Sequence, residues 1–552
     1  MSGGRRAPTP RPVLSLRLVP SLRLVLALSL SFSLLAALTA CTGGKGEHDP
    51  VTLRVLAGPD LAVLAPLLGE LRDATGVELD MDYRATAERE IPADAGYDLA
   101  WLSDDRYLRL SGRKPTERFQ RTPTMTSPVV VGLEPDVARR LRAGVPGGRL
   151  TWADIADAAA TGTVRFGMAD PRRTGSGLAA LVGVATAAAG TGGVLRAQDV
   201  SCDRLRGFRS GQALTASTAP DLLDAYVERQ NGTAEPHTPN TPNTPNALIT
   251  YESDLLALNA SGRLKDDLDV IRPEDGMVLS DFPILLLAPA HRAAYDRVTE
   301  WIQRDSVQEE IMRRTLRRPV KATVTRSAQL RAPVGNALYF PGELAVLRRL
   351  LDDYGDPNRR VADQVVFLLD FSGSMRGARM AELRDAFAGL SGADSSATGK
   401  FTRFHQGERL TVVRFGGRVL QERTVTVHGP ADLKTLADTV ARGGYGDATA
   451  VWTALDHGYR TAARTLADDP ERAVSLVLMT DGENNAGITY EEFVRRYEAL
   501  PGRARAVHTY PVHFGEADAG ELRRAAAKTG GHMVDADQSS LSEAFKEIRG
   551  CR

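Results

Sequence analysis

The segment Val365-Val366-Phe367-Leu368-Leu369 constrains this chain more than any other. Successive side chains of a strand point to opposite faces, so an unbroken apolar run suits a parallel strand covered on both faces. The run stops at Asp370-Phe371-Ser372-Gly373-Ser374-Met375, and a helical pattern continues through Leu390. A carboxylate and two hydroxyls are therefore expected at the carboxyl end of a strand, where open α/β sheets place their ligands. A second apolar run, Ala473 to Thr480, ends in Asp481-Gly482-Glu483. Between the two runs a glycine-rich stretch, Gly443 to Thr449, opens a predicted helix over 450–466.

Asp370, Ser372, Ser374, Thr449 and Asp481 offer only hard oxygen donors. That set suits Mg2+, Mn2+ or Ca2+ and not zinc, which prefers nitrogen and sulfur. Few protein charges and several waters leave such a cation under-neutralised, so it can accept a carboxylate from elsewhere. These residues resemble the metal-ion-dependent adhesion site of von Willebrand factor type A domains, over about Ala362–Arg552. The resemblance implies a doubly wound, Rossmann-like sheet. It also implies that the five residues hold a metal directly or through water, and that a protein partner supplies an acidic side chain to it. The loop departs from the family pattern, with Gly446-Asp447-Ala448-Thr449 where members often show Gly-Gly-Thr. The competing reading is a Rossmann-like domain whose hydroxyls only cap a helix.

The first half alternates strands and helices from Val51 onward, which predicts an α/β domain. Its cues come in a fixed order: a strand ending at Ser103, one opening at Ser127, Thr174-Gly175-Ser176-Gly177 at the head of a helix, and a strand ending at Tyr251. Hydroxyls and glycine at a helix start favour anions, because free N–H groups and the helix dipole point there. This order resembles type II extracellular solute-binding proteins, two-lobed α/β clamshells, over about Val51–Thr325. The resemblance implies a cleft for a small molecule or anion, touched by Ser103, Ser127, Thr174, Ser176 and Tyr251. Thr238 to Asn246 repeats Thr-Pro-Asn three times without apolar content and is expected to be an exposed, extended loop.

Residues 1–40 hold Arg5, Arg6, Arg11, Arg17 and Arg23, no acidic residue, and the apolar stretch Leu24 to Ala40. That is leader architecture. Its end, Leu38-Thr39-Ala40-Cys41, resembles the bacterial lipobox, which implies acylation of Cys41 and attachment to the outer face of the cell membrane. Two acyl chains anchor stably where one does not. Export would leave Cys202 and Cys551 able to pair in an oxidising compartment. The layout expected is a leader over 1–40, a tether over 41–50, a solute-binding-like domain over 51–345, a linker over 346–361 and a type A domain over 362–552. Basic and acidic residues balance at 69 each, and aromatics make up 6%. Neither figure suits a nucleic-acid partner. No Gly-x-Ser-x-Gly elbow or His-Glu-x-x-His is present, Gly399-Lys400 is followed by Phe401, and the nine histidines are scattered. The chain is expected to be a binding protein and not an enzyme. The alternative is a receptor that hands solute to an ABC permease, with the type A domain as an accessory.

Overall fold

The computed structural model describes residues 51–92, 95–111, 119–200, 205–232, 244–355, 363–538 and 540–550. Cys41, Cys202 and Cys551, the leader and the tether lie outside the described residues. Three sheets are present among the described residues. In the first, Val77–Tyr83, Val51–Ala57 and Leu99–Trp101 run parallel. Pro283–Leu286 lies antiparallel to Leu99–Trp101, and Gln120–Pro123 forms the edge beyond it. The second is ordered Leu279–Ser280, Ser127–Leu133, Ala247–Tyr251, Phe166–Ala169, Gln212–Ala216, with Asp269–Ile271 also paired to Ser127–Leu133.

The chain leaves the first sheet after Pro123, builds the whole second sheet and returns at Pro283. The second lobe is thus an insertion in the first. The two crossings touch: Thr124 N donates to the Asp281 carbonyl at 3.3 Å, and Thr124 Oγ1 to the Phe282 carbonyl at 2.5 Å. Phe282 takes a left-handed backbone, φ 43°, uncommon for a bulky residue, with the Arg317 guanidinium 4.2 Å above its ring. Helices Arg292–Ile302 and Asp305–Thr315 then return to the first lobe, where Tyr295, Val298, Trp301 and Ile311 share a core with Leu64, Leu67 and Leu71. Gln303-Arg304 separates the two helices.

Residues 346–354, read from sequence as the head of a linker, form most of a helix, Leu344–Tyr354. Its Val346, Leu347, Leu350 and Tyr354 join the same apolar core. The threefold Thr-Pro-Asn stretch falls mostly outside the described residues. Its last residue, Asn246, is buried and not exposed: Oδ1 accepts from Arg165 N at 2.8 Å and Nδ2 donates to the Thr163 carbonyl at 3.0 Å.

The third sheet is ordered Val419–Thr426, Arg409–Phe415, Asp363–Asp370, Ala473–Thr480, His508–His513, Val534–Asp535, parallel except for the first strand. Asp363–Asp370 is buried along its entire length. Val365, Phe367 and Leu369 enter one core with Leu383, Phe387 and Phe545. Val366 and Leu368 enter the other with Trp452, Leu455 and Tyr459. This is the double burial that the apolar run requires. Residues 51–552 form one compact unit. Helix Ala397–Thr402 of the third-sheet domain docks on the second lobe, with Phe401 in the first domain's core and Lys400 Nζ 2.5 Å from Asp154 Oδ1. Arg403 pairs with Asp157, and Arg206 reaches Asp363 at 2.8 Å.

Candidate functional site

Asp370 is the last residue of the central strand, and Asp481 directly follows the neighbouring Ala473–Thr480. On the other side of the central strand stands Arg409–Phe415, so the strand order reverses here. The cluster therefore lies in the crevice of a topological switch point. Asp370 Oδ1 accepts from Ser372 N at 2.7 Å, and Oδ2 accepts from Thr480 Oγ1 at 2.7 Å. Those two bonds fix the carboxylate and turn the backbone toward the serines. Ser372 Oγ lies 2.9 Å from Ser374 Oγ, which donates to Asp481 Oδ1 at 2.9 Å. Four of the five sequence-selected residues are thus joined in one hydrogen-bonded chain.

Thr449 arrives from a separate loop. Gly446 N donates to the Phe371 carbonyl at 2.8 Å, and a Cβ on Gly416 would stand 2.8 Å from Gly446 Cα. Only glycines allow that approach. Thr449 N donates to Asn485 Oδ1 at 2.7 Å, and its carbonyl accepts from Asn485 N at 3.0 Å. Its Oγ1 and Ser374 Oγ both flank Gly482, 3.6 and 3.9 Å from where a Cβ would sit. Thr480, Asn485 and Arg379 escaped the sequence reading. Thr480 was visible only as the residue before Asp481, and the other two reach the site through folding alone.

Asp370 is fully buried, and burial pushes its carboxyl up to about 6 against the hydrogen bonds from Thr480 and Ser372. Among the described residues no basic group offsets its charge, and a divalent cation there would do so. Oxygen donors alone, converging from three segments, fit such a cation. Ser372, Thr449 and Asp481 are buried, whereas Gly373 and Ser374 are exposed and mark the open side. Two cations edge the site. Arg379 Nη1 donates to Asp481 Oδ2 at 2.5 Å, and exposed Arg376 stacks 5.1 Å above the Tyr445 ring. A second cluster lies farther along the same sheet edge, where His513, Asp535 and Asp537 bring ligand atoms within 4.8 Å of one another. His513 Nε2 donates to the Ala517 carbonyl at 3.1 Å, which leaves Nδ1 facing Asp535 Oδ1 at 3.2 Å.

The five residues proposed for the first domain's cleft have separate roles. Thr174 caps helix Gly175–Ala189, its side chain accepting from Gly177 N at 3.1 Å. Ser127 Oγ accepts from Ser253 N at 3.1 Å, at the start of helix Glu252–Ala260. Ser176 is buried in the first turn of its helix. Ser103 and Tyr251 do converge near Gly175: a Cβ there would stand 3.1 Å from Tyr251 Oη. Their neighbour is Glu88, a residue that sequence reading passed over. Ser103 N donates to Glu88 Oε1 at 3.1 Å, and the Ser103 hydroxyl bonds the same oxygen.

Two α/β lobes bridged by a double crossing are followed by a doubly wound sheet that carries an oxygen cluster at its switch point. Residues 53–313 match the family model of a bacterial extracellular solute-binding protein, and residues 364–547 match that of a von Willebrand factor type A domain. The chain is a bacterial extracellular solute-binding domain followed by a von Willebrand factor type A domain. Among solved structures, a periplasmic binding protein from Actinobacillus pleuropneumoniae is 15% identical over 55% of this chain and 97% of its own, with a TM-score of 0.39. The substrate binding protein of an ABC transporter from Agrobacterium tumefaciens is 16% identical over 57% and 96%, with a TM-score of 0.40. A von Willebrand factor type A protein from Catenulispora acidiphila is 21% identical over 34% and 42%, with a TM-score of 0.27. No curated protein matches the chain.

Proposed function

We propose that this chain is a lipoprotein, anchored through Cys41 on the outer face of the cell membrane, whose type A domain grips an acidic side chain of a protein partner through a divalent cation. The observation that carries the reading is the convergence of Asp370, Ser372, Ser374, Thr449 and Asp481 at one sheet edge, open to solvent at Ser374. A Mg2+, Mn2+ or Ca2+ ion held there supplies an electrophilic point for a carboxylate oxygen. The residues themselves orient and exclude: Thr480 and Ser372 N hold Asp370, Asn485 holds Thr449, and Phe371 packs beneath the loop. Exposed Arg376 favours the approach of an acidic group.

Isothermal titration with Mg2+ on the wild type, Asp370→Ala and His513→Ala tests the metal site. Heat lost in Asp370→Ala and kept in His513→Ala supports it, and equal heat in all three proteins removes it. Capture of surface partners with and without a chelator then tests the grip. A second reading, delivery of a solute to an ABC permease, is favoured by the solute-binding family match over 53–313. It requires a melting shift with some small molecule, about 2.7 kcal/mol at a hundred times Kd.

A further inference from the structure

The cleft of the first domain contains a group that no solute brought. Turns in the segment after strand Val77–Tyr83 (Ala87 N to the Arg84 carbonyl at 3.1 Å, Arg89 N to the Thr86 carbonyl at 2.8 Å) send Glu88 inward, where it is buried. Its Oε1 takes the N–H and the hydroxyl of Ser103, at the end of a first-lobe strand. Its Oε2 takes the N–H of Gly175, the first residue of the fifteen-residue helix Gly175–Ala189 in the second lobe. An uncapped N–H at a helix start, joined by a second N–H and a hydroxyl, is the arrangement that seats carboxylates and phosphates. Here the chain itself provides the occupant.

The next residue completes a clasp. Arg89 reaches the turn before the same helix, donating from Nη2 to the carbonyls of Pro171 at 2.6 Å and Thr174 at 3.0 Å, and from Nε to that of Arg172 at 2.8 Å. Glu88 therefore takes a donor of the second lobe while Arg89 takes three of its acceptors. The seat has no slack: a Cβ on Gly175 would stand 2.8 Å from Glu88 Oε2 and 3.0 Å from Asp104 Cβ.

We propose that Glu88 is a resident ligand, an internal carboxyl group that fills the anion seat formed by Ser103 and Gly175 and holds the two lobes together, so that the first domain takes no free anion there while Glu88 is seated. The inference is independent of the metal reading, since neither residue touches the third sheet's cluster. It changes the sense of the solute-binding fold in this chain, from a receptor that closes on a solute to a rigid arm closed on itself.

Hydrogen exchange and melting of the full chain, with acetate as the probe, test it. The Gly175 and Ser103 amides should be protected in the wild type, and acetate should change neither their protection nor the melting temperature. In Glu88→Ala, exchange at Gly175 should quicken by about tenfold to a hundredfold, as expected for loss of a buried hydrogen bond to a carboxyl group. Added acetate should restore protection and melting temperature saturably. Where Glu88→Ala proves too unstable to purify, Glu88→Leu keeps most of the bulk but offers no acceptor to either donor, and the same loss of protection is expected. Unchanged protection in either variant, or acetate binding to the wild type with a melting shift, overturns the proposal. Mg2+ titration of Glu88→Ala should match the wild type, which separates failure of this proposal from failure of the metal site.

Discussion

Arg379 is the residue that most tempers the proposed metal cluster. Its guanidinium occupies the Asp481 oxygen that Ser374 does not use, and its side chain is one-third exposed. A partly exposed pair of this kind contributes about 1 kcal/mol at most. Arg379→Ala should therefore tighten Mg2+ binding by roughly fivefold, measured by titration. Glu88 sets the second residue-scale expectation. Burial pushes its carboxyl up to about 8, Asp60 and Asp104 adding to the rise while Arg89 and the Gly175 N–H oppose it. Asp60 and Asp254, half-buried nearby, are raised too, with Arg317 facing both, and Tyr251 shares the site. A folded value above the unfolded one means that the stabilising contribution is complete in acid, below about 4.5, and is lost as pH rises through about 8. The melting temperature should fall from pH 5.5 to pH 8.5, with a shallower fall in Glu88→Gln because the most strongly raised carboxyl of this group is gone.

At the scale of elements, the approach of loop Gly443–Thr449 to the strand end decides whether Thr449 reaches the site. Gly416→Ala places a methyl against Gly446 and should cost about 1–3 kcal/mol of stability. It should also weaken Mg2+ binding while leaving Asp370 and the serines in place, which denaturation and titration of the same sample separate. The strands carrying Asp370 and Asp481 were legible because double burial writes itself as an unbroken apolar run. Thr449 was legible only as a hydroxyl before a helix, since its position depends on Gly416 and Asn485, distant in sequence. The cleft was harder to read. Ser127 and Thr174 looked like ligand contacts because a cap and an anion site use the same residue types. Glu88 sits in a polar stretch, Arg84 to Glu90, with nothing to mark it as buried. Its donors lie 15 and 87 residues away, a separation that no local periodicity encodes.

At the scale of the molecule, the two domains share apolar core. Phe401 belongs by sequence to the type A domain and by packing to the first, with Lys400 and Arg403 pinning its helix to Asp154 and Asp157. Heat should therefore melt residues 51–552 in one transition. Phe401→Ala, which removes the shared side chain and costs about 3–5 kcal/mol, should split the calorimetric trace into two. Two transitions already in the wild type, or a single unshifted one in that variant, would show that Phe401 does not couple the domains. Joined in this way, the first domain and its passenger would present the oxygen cluster in one fixed direction.

The inserted second lobe dictates an order of assembly. Strand Pro283–Leu286 fills the gap between Leu99–Trp101 and Gln120–Pro123, so the first sheet cannot be completed until the whole of the second lobe has been made. During synthesis the early strands wait with an open edge, a long-range pairing that is slow to form and prone to wrong partners. A chain built in this sequence keeps that edge unpaired until the second lobe is complete. Its yield should depend on how quickly residue 286 follows residue 123.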